Sequence, residues 1–159
     1  MSIEKVRSYF ESLGIAGRIL EFPVSSATVE LAAQALGVQG ARIAKSLSFL
    51  VEDKPILVVT AGDAKVDNAK FKAFFHCKAK MLSHEETAQR IGHAVGGVCP
   101  FALPEDVKVY LDRSLQRFAT VFPAAGSSNS AVEMTCEELE RYSQAEAWVD
   151  VCKGWQDET

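Results

Sequence analysis

The sequence lacks any apolar stretch long enough to cross a membrane. Its strongly apolar runs, such as residues 56–61, are far shorter than the ~20 residues that a spanning helix needs. The N-terminal segment also lacks the uninterrupted apolar core of a secretory signal, because charged side chains interrupt it at Glu4, Lys5, Arg7 and Glu11. We therefore expect a cytoplasmic protein with no membrane partner.

Closely spaced cysteines are also missing. No two of the four cysteines form a C-x-x-C pair, and they stand far apart at Cys77, Cys99, Cys136 and Cys152. This spacing offers neither a zinc site nor a redox dithiol, and a chain of 159 residues can build a stable core without disulfides. We expect four reduced thiols, and neither a metal ion nor another cofactor.

A surplus of positive charge is absent as well. The formal net charge is −4, which argues against DNA as a partner and against any nucleic-acid binding that relies on charge alone. Residues 63–80 are the exception, because they contain five lysines against two aspartates. This segment is either a locally basic binding face or an ordinary solvated helix face, and both interpretations fit the charge pattern.

Helix and strand patterns are mixed along the chain without a regular alternation. Runs of β-forming residues at 46–51 and 56–60 flank residues 53–55, which predicts a hairpin in the centre of a sheet. Helices are predicted at residues 3–13, 29–36, 68–75, 84–91 and 136–144, and further strands at 18–22, 107–112, 119–123, 131–134 and 148–151. We expect a single α+β domain over residues 1–159, with a mixed, curled, barrel-like sheet flanked by helices.

Three motifs and one turn carry the most specific information. Residues 41–49 read ARIAKSLSF, residues 62–67 read GDAKVD, residues 96–101 read GGVCPF, and the turn GSSN follows at residues 126–129. Their order and spacing resemble the YbaK/prolyl-tRNA-synthetase-associated editing family, over roughly residues 25–140. The resemblance implies a hydrolase that cleaves the ester between a wrong amino acid and the terminal adenosine of tRNA.

The same resemblance implies the partners. We expect aminoacyl-tRNA as the substrate, in particular tRNA for proline, and prolyl-tRNA synthetase as a further partner. The amino acid removed would be small, such as cysteine, alanine, serine or threonine, and a pocket separates these poorly because one methylene changes binding by only ~1–3 kcal/mol. The alternative is a non-catalytic module of the same fold that binds tRNA or a synthetase.

Lys45 is the candidate catalytic residue. It precedes an apolar strand, so its ammonium would either lie beside a pocket or reach water while its stem packs on the sheet. The resemblance favours the pocket, because Lys45 falls where related proteins have a functional lysine. Its implied role is to hold the terminal phosphate or sugar of the tRNA, or to polarise the scissile carbonyl.

The glycine loop at residues 96–100 is the candidate substrate-binding segment. The loop could bring backbone N–H groups close to a carbonyl or an oxyanion, although a plain turn would have the same composition. These N–H groups belong to Gly96, Gly97, Val98 and Cys99. The resemblance implies that the loop, Pro100 included, lines the amino-acid pocket. A Cys99 nucleophile is a weaker alternative, since no histidine shows a recognisable partnering pattern with it.

The remaining candidates are polar and basic. Ser128 and Asn129 could offer donors and acceptors to the ribose or the amino group, while Lys65, Lys70 and Lys72 could meet tRNA phosphates. No pair of acidic residues has acid/base spacing, so the sequence identifies no general base. Catalysis would then depend on a positioned water and on the free hydroxyl of the terminal ribose.

Overall fold

Capping signals in the sequence mark the ends of several helices. A computed structural model describes residues 2–155 of the chain. Ser83 and Thr135 each complete a capping box with a glutamate three residues later, and Gly37 ends a helix in the left-handed conformation. The α-helices are α1 (Ser2–Leu13), α2 (Val29–Leu36), α3 (Asn68–Phe75), α4 (His84–Arg90) and α5 (Cys136–Ser143).

The strands form one large sheet and two small pairs. In chain order the strands are β1 (Leu20–Glu21), β2 (Ile43–Val51), β3 (Lys54–Ala61), β4 (Lys65–Val66), β5 (Lys108–Asp112), β6 (Thr120–Pro123), β7 (Ser130–Ala131), β8 (Met134–Thr135), β9 (Ala147–Val149) and β10 (Cys152–Lys153). The large sheet has the order β8-β6-β2-β3-β5-β9, and β1 pairs with β7 while β4 pairs with β10. Parallel and antiparallel neighbours are mixed, and the six strands curl into a half-barrel. This confirms the expected α+β fold.

The predicted hairpin is present in the centre of this sheet. β2 and β3 pair antiparallel from Ala44 with Ala61 to Val51 with Lys54. The turn consists of Glu52 and Asp53, which both have positive φ, as a two-residue hairpin turn of matching twist requires. The turn therefore lies earlier than the predicted loop at residues 53–55.

Three predicted strands are shorter or divided. The segment at 18–22 contributes only β1, because a 3-10 turn occupies Ala16–Arg18. The segment at 131–134 is split between β7 and β8, because its first part pairs with β1 and its last part with β6. The segment at 148–151 likewise ends as β9, and the chain then leaves the large sheet to pair as β10 with β4. These exchanges of partner depend on distant segments and leave no local signal.

The core lies between the sheet and the helices. Leu57, Val58 and Val59 of β3 have no exposed surface, as expected for a central strand covered on both faces. On one helix, Phe10 packs edge-on against Phe101 with ring centroids 4.9 Å apart. None of the helices between residues 2 and 155 combines the length and apolar character that crossing a bilayer requires.

Candidate functional site

A cavity of about 320 Å³ opens beside the middle of β2. Its walls come from α2 and the segment before it, from α4, from the glycine loop, and from β6 and β7. The lining residues are Ser26, Ala27, Thr28, Val29, Ala32, Ile43, Ala44, Lys45, Ser46, Leu47, Ser48, Met81, Leu82, His84, Thr87, Val95, Gly96, Val98, Phe122, Ala124, Ser130 and Ala131. Two of these side chains, Lys45 and His84, carry ionisable groups, so the polar chemistry of the cavity is sparse and localised.

Lys45 lies on the cavity wall and is half-buried. Its Nζ donates a hydrogen bond to the main-chain oxygen of Gly62 at a distance of 3.4 Å. Burial lowers the pKa of the Lys45 ammonium, while the neighbouring Cys152 and Asp63 act in the opposite direction. A partly desolvated ammonium with one protein acceptor among residues 2–155 retains donors for a ligand.

The position of Gly62 depends on its having no side chain. A β-carbon at this residue would lie 2.1 Å from the main-chain oxygen of Gly40 and 2.8 Å from Cγ1 of Val29. Only glycine allows this close backbone approach. The Gly-Asp motif at residues 62 and 63 therefore supplies the acceptor that orients Lys45, a role that its sequence alone does not reveal.

The α4 helix adds a second ionisable group to the wall. Thr87 of α4 and Ser48 of β2 share a hydrogen bond between their buried hydroxyls at 3.2 Å. His84 lies one helical turn before Thr87, so its side chain is on the same helix face and is exposed at the cavity mouth. Sequence reasoning missed His84, because only the β2–α4 contact brings it to the site.

The glycine loop is divided between the cavity and the core. Gly96 and Val98 line the cavity, whereas Gly97, Cys99 and Pro100 are buried and are not among the lining residues. A β-carbon on Gly97 would lie 2.9 Å from both the nitrogen and the α-carbon of Ser127. Gly97 thus allows the loop to pack on the backbone of the turn at residues 126–129.

Cys99 is placed where a nucleophile would be ineffective. Its thiol is buried, and burial raises its pKa to about 12. His93 lies 3.6 Å from the sulfur, but its Nε2 is 2.8 Å from the main-chain oxygen of Phe101, to which it donates. The imidazole therefore holds the end of the loop and does not act as a base toward the thiol.

The turn at residues 126–129 holds one cavity wall in place through hydrogen bonds to the segment before α2. Asn129 donates from Nδ2 to the main-chain oxygen of Phe22, and its own main-chain oxygen accepts from the N–H of Phe22. The main-chain oxygen of Ser128 accepts from the N–H of Ser26. Neither Ser128 nor Asn129 lines the cavity, and the neighbouring Ser130 does. Both residues thus fasten the segment before α2 that forms one side of the cavity.

The three candidate tRNA-binding lysines differ in their surroundings. Lys65 and Lys72 are exposed. Lys70 donates to Asp150 at 3.1 Å and to the main-chain oxygen of Cys152 at 2.9 Å, which ties α3 to β10. The charge pattern could not distinguish the paired Lys70 from the two exposed lysines, because its partner Asp150 lies far away in sequence.

Comparison with known proteins agrees with this geometry. The family model described as aminoacyl-tRNA editing domain matches residues 24–142. The uncharacterised protein YwhH of Bacillus subtilis strain 168 is 54% identical over 157 residues, which cover 98% of this chain and 100% of that protein. The proline–tRNA ligase of the same organism is 29% identical over 125 residues, which cover 78% of this chain but only 22% of the ligase.

A solved structure gives the same result for the fold. A structure described as a candidate trans-editing enzyme for prolyl tRNA synthetase superimposes with a TM-score of 0.86 and 28% sequence identity, over 96% of this chain and 98% of the other. The family match spans the motifs at residues 41–49, 62–67, 96–101 and 126–129, which are the segments that build the cavity or support it. This chain therefore belongs to the aminoacyl-tRNA editing domain family.

Proposed function

We propose that this protein deacylates mischarged aminoacyl-tRNA in trans, with the esterified amino acid inside the cavity and the body of the tRNA outside it. The observation that carries the proposal is the half-buried Lys45 ammonium on the wall of a cavity of about 320 Å³. That volume is at the small end of ligand pockets and suits a small amino acid with part of a ribose. The similarity to a segment of proline–tRNA ligase supports tRNA for proline as the carrier, with prolyl-tRNA synthetase as a partner.

In this mechanism Lys45 stabilises charge that develops during ester hydrolysis. A water, aligned by the free hydroxyl of the terminal ribose, attacks the ester carbonyl and negative charge forms on its oxygen. A partly desolvated ammonium stabilises such an oxyanion better than a solvated one, because the local dielectric constant is lower. The hydrogen bond to Gly62 orients the ammonium before the substrate arrives.

His84 is the group best placed to handle the proton. It lies at the mouth of the same cavity, and histidine can accept or donate a proton near neutral pH. Hydrolysis of the ester requires that a proton leave the attacking water and that one reach the departing ribose oxygen. We assign this transfer to His84, directly or through a water molecule.

The test is a single-turnover deacylation assay. The protein is incubated with tRNA for proline charged separately with alanine, serine, cysteine, threonine and proline, and release of each amino acid is followed. We expect release of at least one small non-cognate amino acid and retention of proline.

His84→Gln should slow release by about 10²-fold, the scale of a lost acid–base group. The matched control is His76→Gln, an exposed histidine at the end of α3 that is not among the lining residues. Tight tRNA binding without release of any amino acid would indicate the non-catalytic module instead.

A further inference from the structure

The edge of β2 that borders the cavity has a gap in its pairing. On this side β2 pairs with β6 only at Ile43 and Ala44. Further along, the N–H of Leu50 donates to the main-chain oxygen of Lys80, and the N–H of Leu82 donates to that of Ser48. Between these two contacts no segment of residues 2–155 pairs with the edge of β2, and the cavity lies there.

Strand geometry places both main-chain groups of one residue, Ser46, in the gap. Both the N–H and the C=O of a strand residue point to one side, and the side alternates along the strand. Since Ser48 and Leu50 bond to residues 80–82, the groups of Ser46 point to the same side. Lys45 and Leu47 point the other way, toward their partners Thr60 and Val58 on β3. Within residues 2–155, neither the β2–β6 ladder, which stops at Ala44, nor the bonds to residues 80–82 include the main chain of Ser46.

The side chain of Ser46 does not fill this gap. Its Oγ is buried and has no hydrogen-bond partner among residues 2–155. The residue as a whole is nevertheless partly accessible and lines the cavity. The accessible part of Ser46 is therefore its backbone and β-carbon. On a cavity wall, an unpaired N–H can donate a hydrogen bond to a ligand, and an unpaired C=O can accept one from it.

We propose that the main chain of Ser46 binds the aminoacyl group of the substrate as a one-residue extension of the sheet. This inference rests on the proposed function and specifies how its site holds the amino acid. The N–H of Ser46 donates to the ester carbonyl oxygen, and its C=O accepts from the α-ammonium group. An extended amino acid presents these two groups on one side, as in a close pair of an antiparallel ladder.

This arrangement separates two tasks of the site. The main chain of Ser46 binds the α-ammonium and carbonyl groups that all amino acids share, so the contact is the same for each small amino acid. The side chain of the amino acid then points out of the plane of the sheet, as it does on any strand. Selection between amino acids is thus left to the space beside β2, where Val98, Phe122 and Ala131 line the cavity.

The test uses amide hydrogen exchange measured by NMR on the unaltered protein. The probe is 3′-(L-alanylamino)-3′-deoxyadenosine, in which an amide replaces the labile ester. In the free protein the Ser46 amide should exchange fast, while Lys45 and Leu47, bonded to β3, exchange slowly. At saturation with the probe we expect exchange at Ser46 to slow by about tenfold or more. The Lys45 and Leu47 amides serve as internal controls.

The outcomes distinguish this inference from the proposed function. Suppose the probe shifts the amide signals of Gly96 and Val98 but leaves exchange at Ser46 unchanged. The site then binds the substrate end by other contacts, and the Ser46 inference is overturned while the proposed function stands. A probe that shifts no signal of the cavity overturns both. Slow exchange at Ser46 in the free protein also overturns the inference, because its amide would already be bonded.

A pair of variants supplies an independent check. Ser46→Pro removes the N–H that faces the cavity but no hydrogen bond of the β2–β3 ladder. Pro55 already occupies such a position in β3, opposite Leu50. We expect single-turnover deacylation to fall by about 10²-fold, the scale of a lost oxyanion donor. Ser46→Ala keeps the N–H and serves as the reference variant, so Ser46→Pro should deacylate more slowly than Ser46→Ala by at least about tenfold. Equal losses in the two variants would contradict the inference.

Discussion

The ammonium of Lys45 and the main-chain oxygen of Gly62 are joined by a hydrogen bond of 3.4 Å, and Gly62 has no room for a side chain. The only protein acceptor recorded for Lys45 within residues 2–155 is thus a rigid backbone group, held against Gly40 and Val29. A single fixed acceptor orients the ammonium without neutralising it. This relationship motivates the first prediction.

Lys45→Met should slow deacylation strongly without lowering stability. Methionine keeps the length of the stem, so packing is preserved, but the cation that stabilises the oxyanion is lost. We expect deacylation to fall by at least about tenfold, with a melting temperature equal to or above that of the wild type. Single-turnover assays and thermal unfolding measure the two effects. The control is Lys108→Met, on an exposed lysine of β5 that does not line the cavity. A folded Lys45→Met protein with wild-type turnover would remove Lys45 from the mechanism.

The stability difference between the two proteins should also depend on pH. Because burial lowers the pKa of Lys45 from 10.5, the folded state binds this proton less tightly than the unfolded state does. At pH values below the lowered pKa, burial of the charged ammonium reduces the free energy of unfolding by its full amount. This reduction disappears as the pH rises from the lowered pKa to 10.5. The advantage of the Met variant in denaturant unfolding should therefore shrink over that interval.

Gly97→Val should destabilise the protein. The sequence predicts that this substitution impairs hydrolysis far more than tRNA binding. In the structure a β-carbon would meet Ser127 at 2.9 Å, so the side chain would push the loop away from the turn. We expect a loss of about 1–3 kcal/mol in the free energy of unfolding, together with slower deacylation. Denaturant titration measures this loss, with Gly17→Ala as the control because nothing lies within 4 Å of its added β-carbon. Unchanged stability in Gly97→Val would mean that the loop can shift without any loss in the free energy of unfolding.

Cys99 should resist alkylation in the folded protein. Its pKa of about 12 leaves almost no thiolate at neutral pH, and the sulfur is buried. After treatment with iodoacetamide, mass spectrometry should find Cys99 unmodified and deacylation intact. Cys77, which is partly exposed, is the internal control for the reagent. Loss of activity in proportion to modification of Cys99 would restore the cysteine nucleophile as an explanation.

The exposed lysines should contribute more to tRNA affinity than the paired one. Lys72→Ala should weaken tRNA binding and reduce the salt slope of the affinity by about one, the value for a single phosphate contact. Lys70→Ala should change the slope less, because Lys70 is already engaged with Asp150 and Cys152. Filter binding at several salt concentrations compares the two variants. The reverse order would show that the tRNA displaces Asp150 from Lys70.

Local features of the sequence were enough to predict most of the fold. The capping boxes at Ser83 and Thr135 and the central hairpin depend on contacts between residues close in sequence, so pattern reasoning located them. The strand endings were predicted less well, because β7, β8 and β10 each pair with a distant segment. The same limit applies to the candidate site.

Four short motifs were enough to identify the family, and pattern reasoning also singled out Lys45, Gly96 and Val98, which lie on the cavity wall. Packing in three dimensions was needed to show that Gly97, Cys99 and Asn129 lie outside the cavity lining, and that His84 and Ser46 belong to it. The physical reason is that the direction of an irregular loop, or of one helix face, depends on what packs against it. Those packing partners lie far away along the chain, so the sequence names the residues of the site but not the side that each one presents.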